Sequence, residues 1–154
     1  MPVYRGHIDS PIGKIQIEAT EKGIRKLYFV PDNEVQSLGD SAAISLCKVQ
    51  LNQYFKGMRS QFDVPLDSQG TPFQYEVWEC LRNIPISETL SYKSVAETIG
   101  NPRAVRAVGN ACKCNPIMII VPCHRVVGSS GALTGYAGGT WRKQWLLDFE
   151  AKPL

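Results

Sequence analysis

Apolar and polar residues alternate strictly across "KIQIEAT", with Ile15, Ile17 and Ala19 on one side and Lys14, Gln16 and Glu18 on the other. A period of two predicts a half-buried strand. "EKG" turns the chain and "IRKLYFV" runs out as a second strand, which makes a hairpin. The period then lengthens. Between residues 41 and 57, Ile44, Cys47, Leu51 and Tyr54 or Phe55 recur on one helical face, and Gly57 ends the run. "PLDSQGTP" (65–72) strings together turn formers and marks the expected boundary between a domain at 1–68 and a second at 69–154.

The second half opens with a strong helix start. Thr71 is an N-cap, Pro72 fits the first helical position and Gln74 completes a capping box. Phe73, Val77, Leu81 and Ile84 then line one face up to Pro85. In "SYKSVAETIG", Ser91 caps, Val95, Ala96 and Ile99 face inward and Gly100 terminates. Asn101-Pro102 reopens a helix in "RAVRAVGNACKCN", so two short helices joined at a Gly-Asn turn form a helix-turn-helix pattern. On the second of these, Val105, Val108 and Cys112 take the core face, while Arg103, Arg106, Asn110 and Lys113 share another. Ala104, Ala107, Gly109 and Ala111 are small enough for a partner to approach the backbone closely. "IMIIV" reads as a short buried strand or extended segment, "VVGSSGALTGYAGG" (126–139) as a glycine-rich loop, and Trp141, Trp145 and Phe149 as the spacing of a last helix ending at Glu150.

Charge alters this picture in one place. The chain of 154 residues carries a net charge of only +3. Between Glu97 and Asp148, however, there is no carboxylate, while Arg103, Arg106, Lys113, Arg125, Arg142 and Lys143 all fall there. Such a segment projects positive potential, as a polyanion-binding surface does; an ordinary amphipathic helix with a solvated cationic face is the plainer alternative. No apolar run is long enough to span a bilayer and "MPVYRGHIDS" lacks a signal-peptide core, so a cytosolic protein is expected. Five scattered cysteines do not resemble a disulfide framework and are read as thiols in a reducing compartment.

Cys123 stands out among them. An isolated cysteine is most often inert packing. Here Pro122 forbids a helix through it, His124 and Arg125 supply basic groups that favour the thiolate, and a glycine loop follows through which a substrate can enter. A nucleophile and base also need a carboxylate behind the histidine, and Asp148 and Glu150 are both candidates. Cys112, Cys114, Cys123 and His124 are all zinc-competent, but C-x-C on a helix splays its side chains and an adjacent Cys-His pair rarely closes on one ion. No metal site is expected.

These motifs together resemble one family. "GTPFQYEVW", "SYKSVAETIGNPRAVRAVGNACKCNPIMIIVPCHRVV" and "SSGALTGYAGGTWRKQWLLDFE" are similar to the O6-alkylguanine-DNA alkyltransferases, also called methylated-DNA–protein-cysteine methyltransferases. The N-terminal third shares only its strand-rich character and a "SPIG" turn. The resemblance implies an α/β (α+β) fold: a small strand-rich, ribonuclease-H-like domain packed on a mostly helical domain with a winged-helix-like helix-turn-helix. It implies Cys123 as alkyl acceptor, His124 drawing off its proton through a water, Glu150 holding His124, Asn115 bracing the network and Tyr92 donating to the departing guanine. Arg106 would occupy the space of an extruded nucleotide. Ser91, Arg103, Asn110, Lys113 and Arg125 would complete the DNA-facing set, and Val126, Ser129, Ser130, Tyr136, Ala137 and Gly138 would wall the pocket. The implied partner is double-stranded DNA carrying O6-alkylguanine (O4-methylthymine being an open second substrate). The protein would act without a cofactor or membrane, as a monomer, in the cytoplasm or, in a eukaryote, the nucleus.

The chemistry stands without the name. O6 of a stacked guanine is closed to in-line attack, so the base must leave the helix, and a thioether is a poor leaving group, so transfer is stoichiometric. Two departures are visible: Ser87 stands where relatives often carry glycine, which predicts a less sharp turn, and Ala137 where some have serine. Two rival readings are a DNA-binding module with Cys123 merely packed, and a cysteine hydrolase using Cys123 and His124.

Overall fold

The computed structural model describes residues 2–133 and 135–152. Thr134, inside the glycine-rich loop, and Pro153 and Leu154, at the end of the expected second domain, lie outside the described residues. The chain divides into two compact units. Among the described residues the first holds 2–69 together with Pro116–Met118, and the second holds Gly70–Asn115 and 119–152.

In the first unit the expected hairpin forms as β2 (Lys14–Thr20) and β3 (Gly23–Val30). A further strand that the pattern did not announce, β1 (Tyr4–Ile8), pairs antiparallel with β2, giving the order β1-β2-β3. Gly6 interrupts the apolar alternation of β1, and the reason is tertiary. A Cβ there would come within 2.8 Å of Ile44 Cγ2 on helix α1 (Ala42–Phe55). β2 is therefore the central strand and is not half-buried as its alternation predicts: Gln16 is 1% exposed and Glu18 6%. Both polar groups are satisfied. Gln16 donates to the carbonyls of Gly6 and Gln36 and accepts from the Gln36 amide, while Glu18 pairs with Arg5 and Arg25. α1 buries Ile44, Cys47, Leu51 and Tyr54 as its spacing predicts.

The second unit opens with α2 (Pro72–Arg82), which carries the full capping box at Thr71 and Gln74. Its Trp78 donates to the carbonyl of Ala111, tying it to α4. A two-residue strand β4 (Leu90–Ser91) leads into α3 (Tyr92–Thr98), capped by Ser91, and Gly100 at φ 79° turns the chain toward α4 (Val105–Lys113). That helix starts later than predicted. Pro102 lies in a turn closed by the Ala104 amide on the Asn101 carbonyl, so Arg103 precedes the helix instead of sharing its cationic face.

"IMIIV" is not a strand either. Only Ile117 makes a bridge, to Leu27, after which the chain turns with Ile119 at φ 70°. A buried β-branched residue in the left-handed region is strained. Pro122, at φ −83° and ψ 66°, then forms an inverse γ-turn closed by the Cys123 amide on the Val121 carbonyl. A 3-10 turn (Cys123–Arg125) follows, and Val126–Val127 (β5) pairs in parallel with β4. The last helix, α5 (Thr140–Glu150), buries Lys143, Leu146 and Glu150, while Trp141 is 57% exposed.

The turn at Ser87 is as sharp as a glycine would make it. Its φ is 73°, and its hydroxyl donates to the Glu150 carbonyl at 2.5 Å. The hydrogen bond offsets the cost of a side chain in the left-handed region, about 1–2 kcal/mol. Ser87→Ala keeps the strain and loses the bond, so it should destabilise by about 1 kcal/mol or more. Ser87→Gly loses the bond and relieves the strain, so urea unfolding should find it more stable than Ser87→Ala by about 1 kcal/mol.

Candidate active site

The γ-turn and 3-10 turn place Cys123, His124 and Arg125 in the interior on three successive positions, and α5 delivers Glu150 to meet them. Glu150 is the carboxylate behind the histidine; Asp148 points away, exposed and bonded to Gln144. His124 Nε2 lies 2.7 Å from Glu150 Oε2. Arg125 embraces the same carboxylate, with Nε 2.8 Å from Oε1 and one Nη 3.0 Å from Oε2, and its other Nη donates to the Ile84 carbonyl at 2.7 Å.

Burial raises the Glu150 pKa, but the His124 and Arg125 interactions outweigh it and bring the value down to about 2, so the group is a carboxylate. A carboxylate only accepts, so His124 Nε2 carries the hydrogen that bridges them. Complete burial lowers the His124 pKa, Glu150 opposes this, and the charges of Arg125 and Lys143 add to the lowering. The imidazole is therefore neutral with its lone pair on Nδ1, an atom with no hydrogen-bond partner among the described residues.

The thiol departs from the sequence expectation. Cys123 is 5% exposed, and burial pushes it up to about 11, with Asn115 hydrogen bonding and the Lys143 charge working in the other direction. Its neighbours in sequence do not hold it as a thiolate, because His124 is neutral and the Arg125 charge is spent on Glu150. For the same reason Arg125, grouped with the DNA-facing residues on sequence grounds, is buried at 6% exposure and unavailable to a phosphate. Asn115 is buried beside the thiol and also donates to the Val121 carbonyl at 2.8 Å.

Lys143 joins this buried cluster, although its place in the sequence marks it only as one of the cations of the carboxylate-free segment. It is 1% exposed, its Nζ lies 3.5 Å from the Tyr92 hydroxyl, and its charge acts on both Cys123 and Cys112. The signal was present: Lys143, Leu146 and Glu150 are spaced i, i+3, i+7, so a buried Glu150 brings Lys143 inward with it.

A cavity of about 390 Å³ lies over α4, lined by Tyr92, Val105, Arg106, Gly109, Asn110, Lys113 and Gly135. Tyr92 belongs both to this wall and to the Lys143 contact, which places the cavity next to the buried cluster. Cys123 does not itself line it. Of the loop expected to wall the pocket, Val126 is buried in β5, Ser129, Ser130 and Ala137 are exposed, Gly138 accepts from Arg142, and Tyr136 packs edge to face on His124. The wall position is held instead by Gly135, at φ 70°, where a Cβ would meet Lys113 at 3.3 Å and the Tyr92 hydroxyl at 3.6 Å. Ser91 is committed to capping α3. Among the described residues no three His, Cys, Asp or Glu side chains gather as a metal site, and no helix is long and apolar enough to cross a membrane.

Comparison with known proteins bears on the same residues. A model of the 6-O-methylguanine DNA methyltransferase DNA-binding domain matches residues 72–152, and one of the ribonuclease-like domain of the same proteins matches 3–68. The chain is 43% identical to a methylated-DNA–protein-cysteine methyltransferase of Methanosarcina barkeri, over 99% of each chain. It is similar to a crystal structure of Mycobacterium tuberculosis O6-methylguanine methyltransferase, with a TM-score of 0.87 and 45% identity over 97% of this chain and 93% of that one. A structure of the mycobacterial protein in complex with DNA aligns with a TM-score of 0.86 and 47% identity, covering 94% and 91%.

The ionisation pattern has a pH consequence. Glu150 is held at about 2 against 4.5 in an unfolded chain, so its contribution to stability is complete above pH 4.5 and lost as pH falls through about 2. His124, lowered by burial, adds a loss below pH 6.5, where the unfolded imidazole takes up a proton. Above pH 9 the sign reverses: Cys123, near 11, and Cys47 and Cys112, near 12, stay protonated while unfolded thiols ionise. Urea midpoints should therefore be level between about pH 6.5 and 9 and fall on both sides. In Glu150→Gln the carboxylate's part of the decline below pH 4.5 should disappear, on a lower plateau, while the part due to His124 remains.

Proposed function

The chain belongs to the 6-O-methylguanine DNA methyltransferase family, and from that premise we propose that it repairs O6-alkylguanine in double-stranded DNA by moving the alkyl group to its own Cys123. The observation that carries this reading is the buried run Cys123, His124 and Arg125 closed on Glu150, with a protonated thiol followed in the chain by a neutral imidazole whose Nδ1 has no hydrogen-bond partner among the described residues.

Because the resting thiol is protonated, the proton must be removed before sulfur can attack. His124 Nδ1 accepts it through one water, and Glu150 and Arg125 hold the ring in the tautomer that can do so. The imidazolium formed faces the Glu150 carboxylate, and the thiolate formed faces the Asn115 amide and the Lys143 ammonium. An S–C bond then forms as the C–O6 bond breaks. The leaving purine gains electron density, which Tyr92 meets with its hydroxyl hydrogen, and Lys143 at 3.5 Å stabilises the phenol oxygen as it donates. The thioether product has no route back, so each molecule acts once, with no cofactor.

Base extrusion falls to α4. Arg106, Asn110 and Lys113 are exposed and line the cavity, with Arg103 on the turn before them. A minor-groove binder offsets unstacking by inserting a side chain and contacting phosphates, and Arg106 is the inserted group. Gly109 supports this docking. A Cβ there would touch nothing within 4 Å inside the protein, so the protein's own packing does not require the missing side chain. The extruded base enters the cavity beside Tyr92, whose contact with Lys143 adjoins the buried cluster that holds Cys123. Action as a monomer in the cytoplasm, or the nucleus of a eukaryote, belongs to the same reading.

Incubation with a duplex containing O6-methylguanine should add one methyl group to the peptide carrying Cys123, read by mass spectrometry; an unchanged mass refutes the reading. Cys123→Ala should bind that duplex and leave its methyl group in place. Turnover of esters or amides would instead favour a thiol hydrolase. Arg106→Ala should slow transfer more than it weakens binding, whereas a loss confined to salt-sensitive affinity would make it a plain phosphate contact. Gly109→Ala should stabilise the free protein by about 0.5–1 kcal/mol, as alanine does in a helix, and yet weaken DNA binding in a fluorescence titration.

A further inference from the structure

Two buried side-chain polar atoms have no hydrogen-bond partner among the described residues: His124 Nδ1 and Tyr136 Oη. The first is the base of the reaction described above. The second has been given no task. Tyr136 is 8% exposed, and a buried hydroxyl without a partner weakens the fold unless something outside the protein chain satisfies it. A phenylalanine would fill the same space at no such cost.

The two unpaired atoms sit on neighbouring rings. His124 and Tyr136 meet edge to face, with centroids 6.4 Å apart and planes at 84°. Tyr136 is also near enough to Cys123 that a negative charge on either opposes one on the other. The hydroxyl is not the acid for the leaving purine, a position Tyr92 takes at the cavity wall. A buried water needs two to four polar partners to be held in place. The hydrogen of the Cys123 thiol and His124 Nδ1 supply two, and the Tyr136 hydroxyl, without a partner among the described residues, supplies a third.

We propose that Tyr136 is a positioning residue of the proton relay: its hydroxyl, with His124 Nδ1, fixes the water through which Cys123 loses its proton. The inference rests on the alkyl-acceptor reading of Cys123. The proton balance is simple. The Cys123 S–H bond breaks as the water gains that hydrogen, and the water passes another hydrogen to Nδ1, leaving thiolate and imidazolium. Tyr136 keeps its own proton throughout, and burial, which holds its pKa well above the ordinary value, prevents it from competing as an anion. Its hydroxyl orients the water by hydrogen bonding alone.

Tyr136→Phe removes one oxygen and keeps the ring. Three measurements on it and the wild type separate the possibilities: single-turnover methyl transfer at saturating O6-methylguanine duplex, affinity for that duplex, and the pH profile of carbamidomethylation of Cys123 by iodoacetamide without DNA, resolved by peptide mass. Exposed Cys114 serves as internal reference. The variant should transfer about tenfold more slowly or worse, a part of what a general base contributes. Its affinity and Cys114 rate should be unchanged, its Tm no lower, and its Cys123 carbamidomethylation slower on the neutral side of the profile. Wild-type rates in both chemical assays would overturn the proposal. So would weaker DNA affinity with unchanged Cys123 carbamidomethylation, which would put the hydroxyl on the base. If the wild type took up no methyl group at all, the repair reading would fail, while the iodoacetamide profile would still report on the Tyr136 relay.

Discussion

Glu150 carries its carboxylate into the interior on the last turn of α5, where a single negative charge would be costly without matched partners. Arg125 supplies the compensating charge through a two-pronged contact, and His124 completes the carboxylate with one more hydrogen bond. Breaking such a buried pair by removing one member costs about 3–5 kcal/mol, because the other charge is left stranded. The arrangement therefore ties α5 to the 3-10 turn with a strength that no exposed ion pair could match. Arg125 extends the tie to the Ile84 carbonyl beyond α2, and Ser87 closes it from the other side through the Glu150 carbonyl.

That clamp also decides the chemistry. A histidine whose Nε2–H is held by a carboxylate presents the lone pair of Nδ1, and burial keeps it uncharged. The thiol beside it rests protonated in the same low-polarity surroundings. The proposed nucleophile and base thus both rest uncharged. The thiolate and imidazolium pair becomes favourable only when a substrate offers sulfur somewhere to go. An unprovoked thiolate would be open to stray alkylation and oxidation, and for a protein that acts once, a resting thiol avoids that loss.

The surface that would admit the substrate follows a different rule. α4 exposes Arg106, Asn110 and Lys113 over a cavity, while Gly109 leaves room unused by the fold itself. Its inner residues, Val108, Ala111 and Cys112, are held by α2 through Trp78. One short helix thus packs on one side and exposes Arg106, Asn110 and Lys113 on the other, in a stretch of chain without carboxylates.

How much of this was legible in the residues alone follows from the range over which each feature is decided. Local rules governed the hairpin, the capping box at Thr71, the Ser91 cap and the amphipathic α1 and α2, since propensity and period act over a few neighbours. The unusual grouping of Pro122, Cys123, His124 and Arg125 was equally plain, because a tight turn of consecutive residues is itself local. What sits behind them was not. In the residues alone Asp148 and Glu150 are equivalent, Arg125 and Lys143 are two cations among six, and Cys123 beside basic groups favours a thiolate, since the outcome depends on which face of α5 turns inward and on how much water is excluded. Burial on both faces of β2 was hidden for the same reason, whereas the late start of α4 at Val105 is local, set by the turn that the Ala104 amide closes on the Asn101 carbonyl. Sequence by itself determined which residues could do chemistry and which short elements carry them. Only the tertiary structure decided their charges and partners, because ionisation and pairing are set by desolvation, and desolvation belongs to the packed whole.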